Sequence, residues 1–217
     1  MTLKNLTTEE IGRLLEQGAG QVPIVDRFPS NYFNTDPRSA AVLVPLYRHL
    51  GEWYALFIRR AANEKDRHSG QVAFPGGRVD PGDLDEIGAA LRETREEVGL
   101  SERQISVLGS LNPYRTVSNY LVTPVVAEIE WPAAVSPDPR EVERIFSIPL
   151  RWLADPANCQ VRTRVLPGFD VNIPVYYFER FENELLWGIT AKIVVTLLNV
   201  LRVDGYWPIM FGQEESR

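Results

Sequence analysis

"RETREEVGL", residues Arg92 to Leu100, places Glu93, Glu96 and Glu97 within five residues, and "FPGG", Phe74 to Gly77, stands a short way upstream. The run from Glu86 to Val98 is the most strongly periodic in the chain. Spacing successive residues about 100° apart, with Ile87 at zero, puts Ala90, Leu91, Thr94 and Val98 within about 60° of it, a core-facing stripe. On the same wheel Glu86, Glu93, Glu96 and Glu97 fall together between roughly 180° and 280°, on one flank beside the buried stripe. Glu93 and Glu97 are an i, i+4 pair of like charge, which costs a helix a few tenths of a kcal/mol. Gly99 is placed to stop the helix. A solvated acidic face offset by Arg92 and Arg95 is one reading. The other is a cation site, since carboxylate-rich oxygen coordination selects Mg²⁺ or Mn²⁺ over zinc. Arg92, four residues before Glu96, is then placed to orient it. Gly76 and Gly77 permit close backbone approach, so a carbonyl there can join the carboxylates.

Around this segment the chain reads as one sizeable domain. It has 217 residues, 44% of them apolar, and a net charge of -6. That charge argues against nonspecific nucleic-acid or anionic-membrane binding, and an anionic substrate would need local cations or metal. A single cysteine, Cys159, and two histidines, His49 and His68, leave no disulfide framework and no Cys- or His-rich metal site. "MTLKNLTTEE" shows no apolar signal region, and a cytoplasmic location is the simplest expectation.

Thr7 and Glu10 predict a capping box opening a short helix with Ile11, Leu14 and Leu15 on one face. "AAVLVPLYRH" and "WYALFIR" read as strands about a turn at Gly51-Glu52, and "QVAFPGG" as a short strand ending on its glycines. "QISVLGSLN", "YLVTPVVAEIEW" and "VERIFSIPL" are further strands, the last running into a short helix. "VNIPVYYFERFENELLWG" predicts a hairpin turning at Glu182-Asn183, followed by an apolar helix from Ile189 to Leu201. Strands outnumber dispersed helices, which points to a mixed β-sheet packed between helices. The expected organisation is an N-terminal helix and extended segment (1–37), one domain (38–205) and a tail (206–217).

Gly77 to Leu100 resembles the Nudix box, G-x5-E-x7-R-E-U-x-E-E-x-G-U with U aliphatic. Thr94 stands at the first aliphatic position, Gly77 lies fifteen residues before Arg92 where the box has fourteen, and Asp83 replaces the first glutamate. "RHSGQVAFPGG", Arg67 to Gly77, together with "SNYLVTPVVAEI", "EVERIFSIPL" and "LLWGITAKI", is similar to the coenzyme A pyrophosphatase branch. Upstream, Leu56-Phe57-Ile58-Arg59-Arg60-Ala61 departs from that branch's Leu-Leu-Thr-x-Arg-Ser, and Asp66 takes a common arginine position. The resemblance runs from about residue 38 to 202.

The resemblance implies the Nudix fold, an α+β architecture with an α/β/α sandwich, and hydrolysis of a nucleoside diphosphate derivative with Mg²⁺ or Mn²⁺. Glu93 and Glu97 would be the principal metal ligands, with Glu96 sharing the site and the Gly77 carbonyl assisting. The general base would be Glu96, Glu97 or Glu141. A coenzyme A-like substrate would yield 3′,5′-ADP and 4′-phosphopantetheine. Its phosphates would meet Arg59, Arg60, Lys65 and Arg67, with His68, Gln71 and Gly76 alongside. Tyr114, Arg115 and Tyr120 would line an adenine or pantetheine pocket. Trp187 and the helix after it are assigned to the core. ADP-ribose or a dinucleotide polyphosphate is the alternative substrate, and a nucleotide-binding module without turnover the alternative of another class. A homodimer is expected by fold-level analogy.

Overall fold

The computed structural model describes residues 3–18, 28–62, 69–166 and 168–202 of the chain. Helix α1 (Thr8–Gly18) precedes strands β1 (Arg38–His49), β2 (Glu52–Arg60), β3 (Val72–Ala73) and β4 (Gly76–Arg78). Helix α2 (Glu86–Val98) is followed by β5 (Ile105–Ser110), β6 (Tyr114–Arg115), β7 (Tyr120–Ile129) and β8 (Val142–Pro149). Helix α3 (Leu150–Leu153), strands β9 (Cys159–Val165), β10 (Asn172–Phe181) and β11 (Glu184–Trp187), and helix α4 (Gly188–Val200) complete the order.

The main sheet runs β3-β2-β1-β7-β5, with β4 paired to β1, β6 to β7 and β8 to β2. β1 and β7 are parallel while β2 and β4 flank β1 antiparallel, so the sheet is mixed. Alternation explains why β1 reads as an almost unbroken apolar run. Ala41 and Leu43 pack with Ala89, Ala90, Val125 and Ala127 on the α2 side. Val44 and Leu46 turn the other way, into a core with Ile11, Leu14 and Leu15 of α1 and Leu197 and Leu198 of α4. A strand covered on both faces needs apolar residues at both parities. The result is the expected α/β/α sandwich.

Local signals act as read from the sequence, with small displacements. Thr7 and Glu10 close a capping box: the Glu10 N–H donates to Thr7 Oγ1 at 3.2 Å and the Thr7 N–H to Glu10 Oε2 at 2.9 Å. The β1–β2 turn is centred on Leu50 and Gly51, both with positive φ, one residue earlier than expected. Glu182 and Asn183 form the β10–β11 turn. The expected single strand "QVAFPGG" divides into β3 and β4, with Gly76 and Gly77 paired to Val42 and Ala41 inside β4. β9 escapes the sequence reading: "CQVRTRV" is the edge of a separate β11-β10-β9 sheet and mostly exposed, so no burial imposes an apolar alternation on it.

Candidate active site

Helix α2 starts where the Asp85 carboxylate accepts the Gly88 N–H at 2.8 Å, and ends at Gly99 in the left-handed region, whose N–H donates to the Arg95 carbonyl. Thr94, at the box's aliphatic position, is fully buried and spends its hydroxyl on the Ala90 carbonyl at 2.7 Å. It therefore packs as a branched apolar residue would. With α2 fixed this way, its acids face β4. Glu97 is only 1% exposed, and its Oε2 accepts the Gly76 N–H at 2.9 Å. Arg60 Nη1 stands 3.6 Å from Oε1. Burial pushes the Glu97 carboxyl up to about 7, with the nearby charges of Glu93 and Glu141 adding to it, against the opposing effect of Gly76 and Arg60. Burial likewise raises Glu93, opposed by Arg92. Glu96 remains exposed.

The glycines make this approach possible. Gly76 has φ +152°, and a Cβ there would fall 2.3 Å from the Ala41 carbonyl oxygen and 2.5 Å from Val42 Cα. A Cβ on Gly77 would lie 2.4 Å from Glu93 Oε1. The side chain that is absent at Gly77 is thus the space the Glu93 carboxylate occupies.

Arg92 organises the acids from the other side. Its Nε and Nη2 donate to the two oxygens of Asp83 at 2.9 and 3.0 Å, and Nη1 reaches Glu93 at 3.0 Å and Glu96 at 3.3 Å. Arg92 therefore orients Glu93 as well as Glu96. Asp83 is its anchor, and these hydrogen bonds, with the Asp80 N–H, hold the Asp83 carboxyl below the usual carboxylate range. Glu141 arrives from a different segment. The Ser136 and Asp138 N–H groups dock on the Val98 and Glu97 carbonyls, and Ala61 donates to the Glu141 carbonyl at 2.8 Å. Those bonds carry the Glu141 carboxylate into the same cleft.

The cleft has a volume of about 1090 Å³. Arg60, Gln71, Gly76, Gly77, Arg92, Glu93, Glu96, Glu97, Tyr114, Tyr120 and Glu141 all line it. Arg59 does not: its guanidinium is held by Glu143 and by buried Glu184, each at 3.1 Å, because adjacent strand residues point to opposite faces. Arg67 and His68 lie outside the described residues, as does Lys65. Tyr114 is 1% exposed, with Lys192 Nζ 4.7 Å from its ring centre, so it forms a packed wall. The helix after Trp187 joins the core from Ala191 onward, as expected, but Trp187 itself is only half-buried, stacked on Tyr177. Trp187, Gly188, Ile189, Thr190 and Lys192 face the cleft, because α4 begins at its rim. Lys192 and Arg164 are cleft cations that the sequence reading missed. A lone lysine in an apolar helix, as in "GITAKIVV", was the available signal.

Four carboxylates lining one cleft, with buried Glu97 and half-buried Glu93 both raised in pKa, are the donor set a hard divalent cation uses. Among the described residues no three of them converge on one point in the arrangement seen. Glu93 and Glu96 lean on Arg92, and Glu97 on Gly76 and Arg60. Burial is the main cause of the raised Glu97 carboxyl, so its charged form is one that a bound cation would stabilise. The residues fit such an ion.

The NUDIX domain model matches residues 37–169. The chain is 37% identical to mitochondrial coenzyme A diphosphatase NUDT8 of Homo sapiens over 180 residues, 81% of this chain and 75% of that protein. It is 35% identical to the uncharacterized Nudix hydrolase NudL of Yersinia pestis over 165 residues, covering 76% of this chain and 80% of the relative. A solved MutT/nudix family protein from Enterococcus faecalis shares the fold with a TM-score of 0.50 at 17% identity, over 89% of this chain and 74% of its own. Nudix hydrolases use divalent metal ions. The chain belongs to the Nudix hydrolase family, as a hydrolase acting on diphosphate bonds.

Proposed function

We propose that the chain hydrolyses the diphosphate of coenzyme A or its derivatives to 3′,5′-ADP and 4′-phosphopantetheine, in a catalytic unit spanning 38–205. The observation that carries this reading is one cleft holding both the Glu93, Glu96, Glu97 and Glu141 acids and separate cations at Arg115, Arg164 and Lys192. In a chain of net charge -6, such cations suit a substrate with a phosphate beyond the diphosphate. The similarity to a coenzyme A diphosphatase over four-fifths of the chain supports it.

Glu93 and Glu97, with Glu96 and the Gly77 carbonyl, would hold a Mg²⁺ or Mn²⁺ ion; when bound it supplies charge neutralisation at the diphosphate and acidifies water. Arg60, 3.6 Å from Glu97, would meet diphosphate oxygens in this reading, and Gln71 borders the same cleft. Glu141 is the base in this reading. It faces the cleft from outside α2, so it can accept the proton of the attacking water while the α2 acids serve as ligands. Tyr120 and Trp187 offer flat apolar surface for the rest of the substrate.

Incubation with Mg²⁺ or Mn²⁺ and a panel of coenzyme A, ADP-ribose and diadenosine polyphosphates, with products identified by mass, tests the reading. Release of 3′,5′-ADP and 4′-phosphopantetheine is expected. Turnover of ADP-ribose in preference to coenzyme A would refute the substrate, and no turnover of any compound would refute the activity.

A further inference from the structure

We infer that Arg164 is a specificity-determining residue of the cleft, reading a phosphate monoester that the substrate carries besides the diphosphate, and that Trp187 is the positioning residue that holds it. The inference rests on the coenzyme A reading above. In the second sheet, Arg164 of β9 is paired with Ile173 of β10, and Tyr177 of β10 with Trp187 of β11. Alternate residues of a strand share a face, so Arg164, Ile173, Val175, Tyr177 and Trp187 stand on the same side. Tyr177 and Trp187 are stacked, with ring centres 5.5 Å apart and planes 10° from parallel. The Arg164 guanidinium carbon lies 4.9 Å from the Trp187 ring centre and 5.5 Å from that of Tyr177. Arg162, two residues back on β9, stands 4.8 Å from the Tyr177 centre and adds a second cation to this face.

A ring face attracts a guanidinium without accepting its in-plane N–H bonds. Among the described residues the Arg164 side chain makes ring contacts only, with no ion pair and no hydrogen bond, so its fork of donors is left for a ligand. The other cleft cations are placed differently. Arg115 gives Nε and Nη2 to Asn119 Oδ1 at 3.1 and 2.8 Å, and Nη2 again to the Thr35 carbonyl at 3.1 Å, while Asn119 Nδ2 donates to Thr35 Oγ1 at 3.0 Å. Arg92 is spent on Asp83, Glu93 and Glu96, and Arg60 faces Glu97. Lys192 lies over the Tyr114 ring. Arg78 is exposed, and no ring or carboxylate among the described residues orients it. Arg164 therefore combines open donors with a stem that two rings already order, which reduces the rotamer freedom lost on binding.

Arg164 and Trp187 line the same cleft as the acids of α2, but from the β9–β11 sheet rather than the main one. The diphosphate is assigned above to the α2 acids, their metal and Arg60, so the anion left for Arg164 is a separate group on the same molecule. A planar guanidinium matches two oxygens of a phosphate, which suits it to a dianionic monoester better than a point charge. Ile173 and Val175, beside it on the face, are apolar and compete for none of its donors.

The test compares kcat/KM for coenzyme A and for coenzyme A lacking its ribose 3′-phosphate. The proteins are the unaltered chain, Arg164→Ala, Trp187→Leu, Trp187→Phe and the double variant of Arg164→Ala with Trp187→Leu. Leucine removes the ring under Arg164, and phenylalanine keeps one. The unaltered chain should prefer the 3′-phosphorylated substrate. Arg164→Ala should lose about tenfold of that preference, through KM for coenzyme A rather than kcat, the loss expected for a hydrogen bond between charged groups. Trp187→Leu should lose part of the preference and Trp187→Phe should recover it. Because Trp187 also offers surface to the substrate, the ratio between the two substrates is the quantity that reports on Arg164. The double variant should lose no more preference than Arg164→Ala, since both changes act through one guanidinium. No turnover of coenzyme A by the unaltered chain defeats the substrate reading of the preceding section. Turnover without preference, a preference that survives Arg164→Ala, or one untouched in Trp187→Leu defeats this inference alone.

Discussion

Asp83 and Arg92 form a two-pronged ion pair, Oδ1 to Nε at 2.9 Å and Oδ2 to Nη2 at 3.0 Å, that ties the loop before α2 to the helix carrying the acids. The same guanidinium reaches Glu93 and Glu96 through Nη1, so the pair aims carboxylates that it does not itself include. Asp83→Ala should leave the fold intact and lower Mn²⁺ affinity roughly tenfold or more, the usual effect of losing a partner that orients a ligand. Isothermal titration with Mn²⁺ measures it, and unchanged affinity would show that Arg92 holds its place without Asp83. Because the Asp83 carboxyl lies below its ordinary value of 3.8, the pair's contribution is present above that value and is lost as pH falls through the lowered one.

Glu97 titrates in the opposite sense. Its carboxyl is raised from 4.5 to about 7, so between those values the folded chain keeps a proton that the unfolded chain has released. Raising pH across that window in chelator should lower stability, by at most about 1.4 kcal/mol per pH unit. Thermal unfolding at a series of pH values would follow the decline. In Glu97→Gln the decline should flatten, while hydrolysis with Mg²⁺ or Mn²⁺ is largely lost. A variant with full turnover would remove Glu97 from the site.

Neighbouring glycines should fail differently. Gly77→Ala places a methyl 2.4 Å from Glu93 Oε1, the movable end of a side chain, so the fold should persist while turnover drops roughly a hundredfold. Gly76→Ala meets backbone, the Ala41 carbonyl oxygen and Val42 Cα, at a φ of +152°. It should lower stability by more than about 2 kcal/mol. Melting curves and turnover measured side by side separate the two effects.

Glu184 is 5% exposed and bridges Arg59 at 3.1 Å and Arg144 at 3.3 Å, joining the β10–β11 hairpin to β2 and β8. Glu184→Gln leaves Arg59 to Glu143 and Arg144 to Glu182, both exposed partners, and should lower stability by about 1 kcal/mol, seen as a reduced urea midpoint at unchanged slope. No shift in midpoint would mean that solvent compensates both arginines.

The bounds of α2, Glu86 to Val98, were legible because periodicity and the Gly99 stop agree within one short segment. So was the gathering of Glu93, Glu96 and Glu97, which follows from helical geometry alone. The long strands β1, β2 and β7 were legible too, since burial on both faces leaves an apolar run. What a linear pattern does not carry is which of two opposite faces meets the cleft. Arg59 and Arg60 differ by one position, and only the packing of β2 sends one to Glu184 and the other to Glu97. The polar edge strand β9 had no burial to write itself into the sequence. Trp187 reads as the end of a hairpin and Lys192 as part of an apolar helix, and only the packing of α4 turns both to the cleft. The clamp of Thr35 and Asn119 on Arg115 spans about eighty residues of chain, so no local rule could anticipate it. Local hydrogen bonding and periodicity determined the acid-bearing helix; long-range packing decided which cations join it.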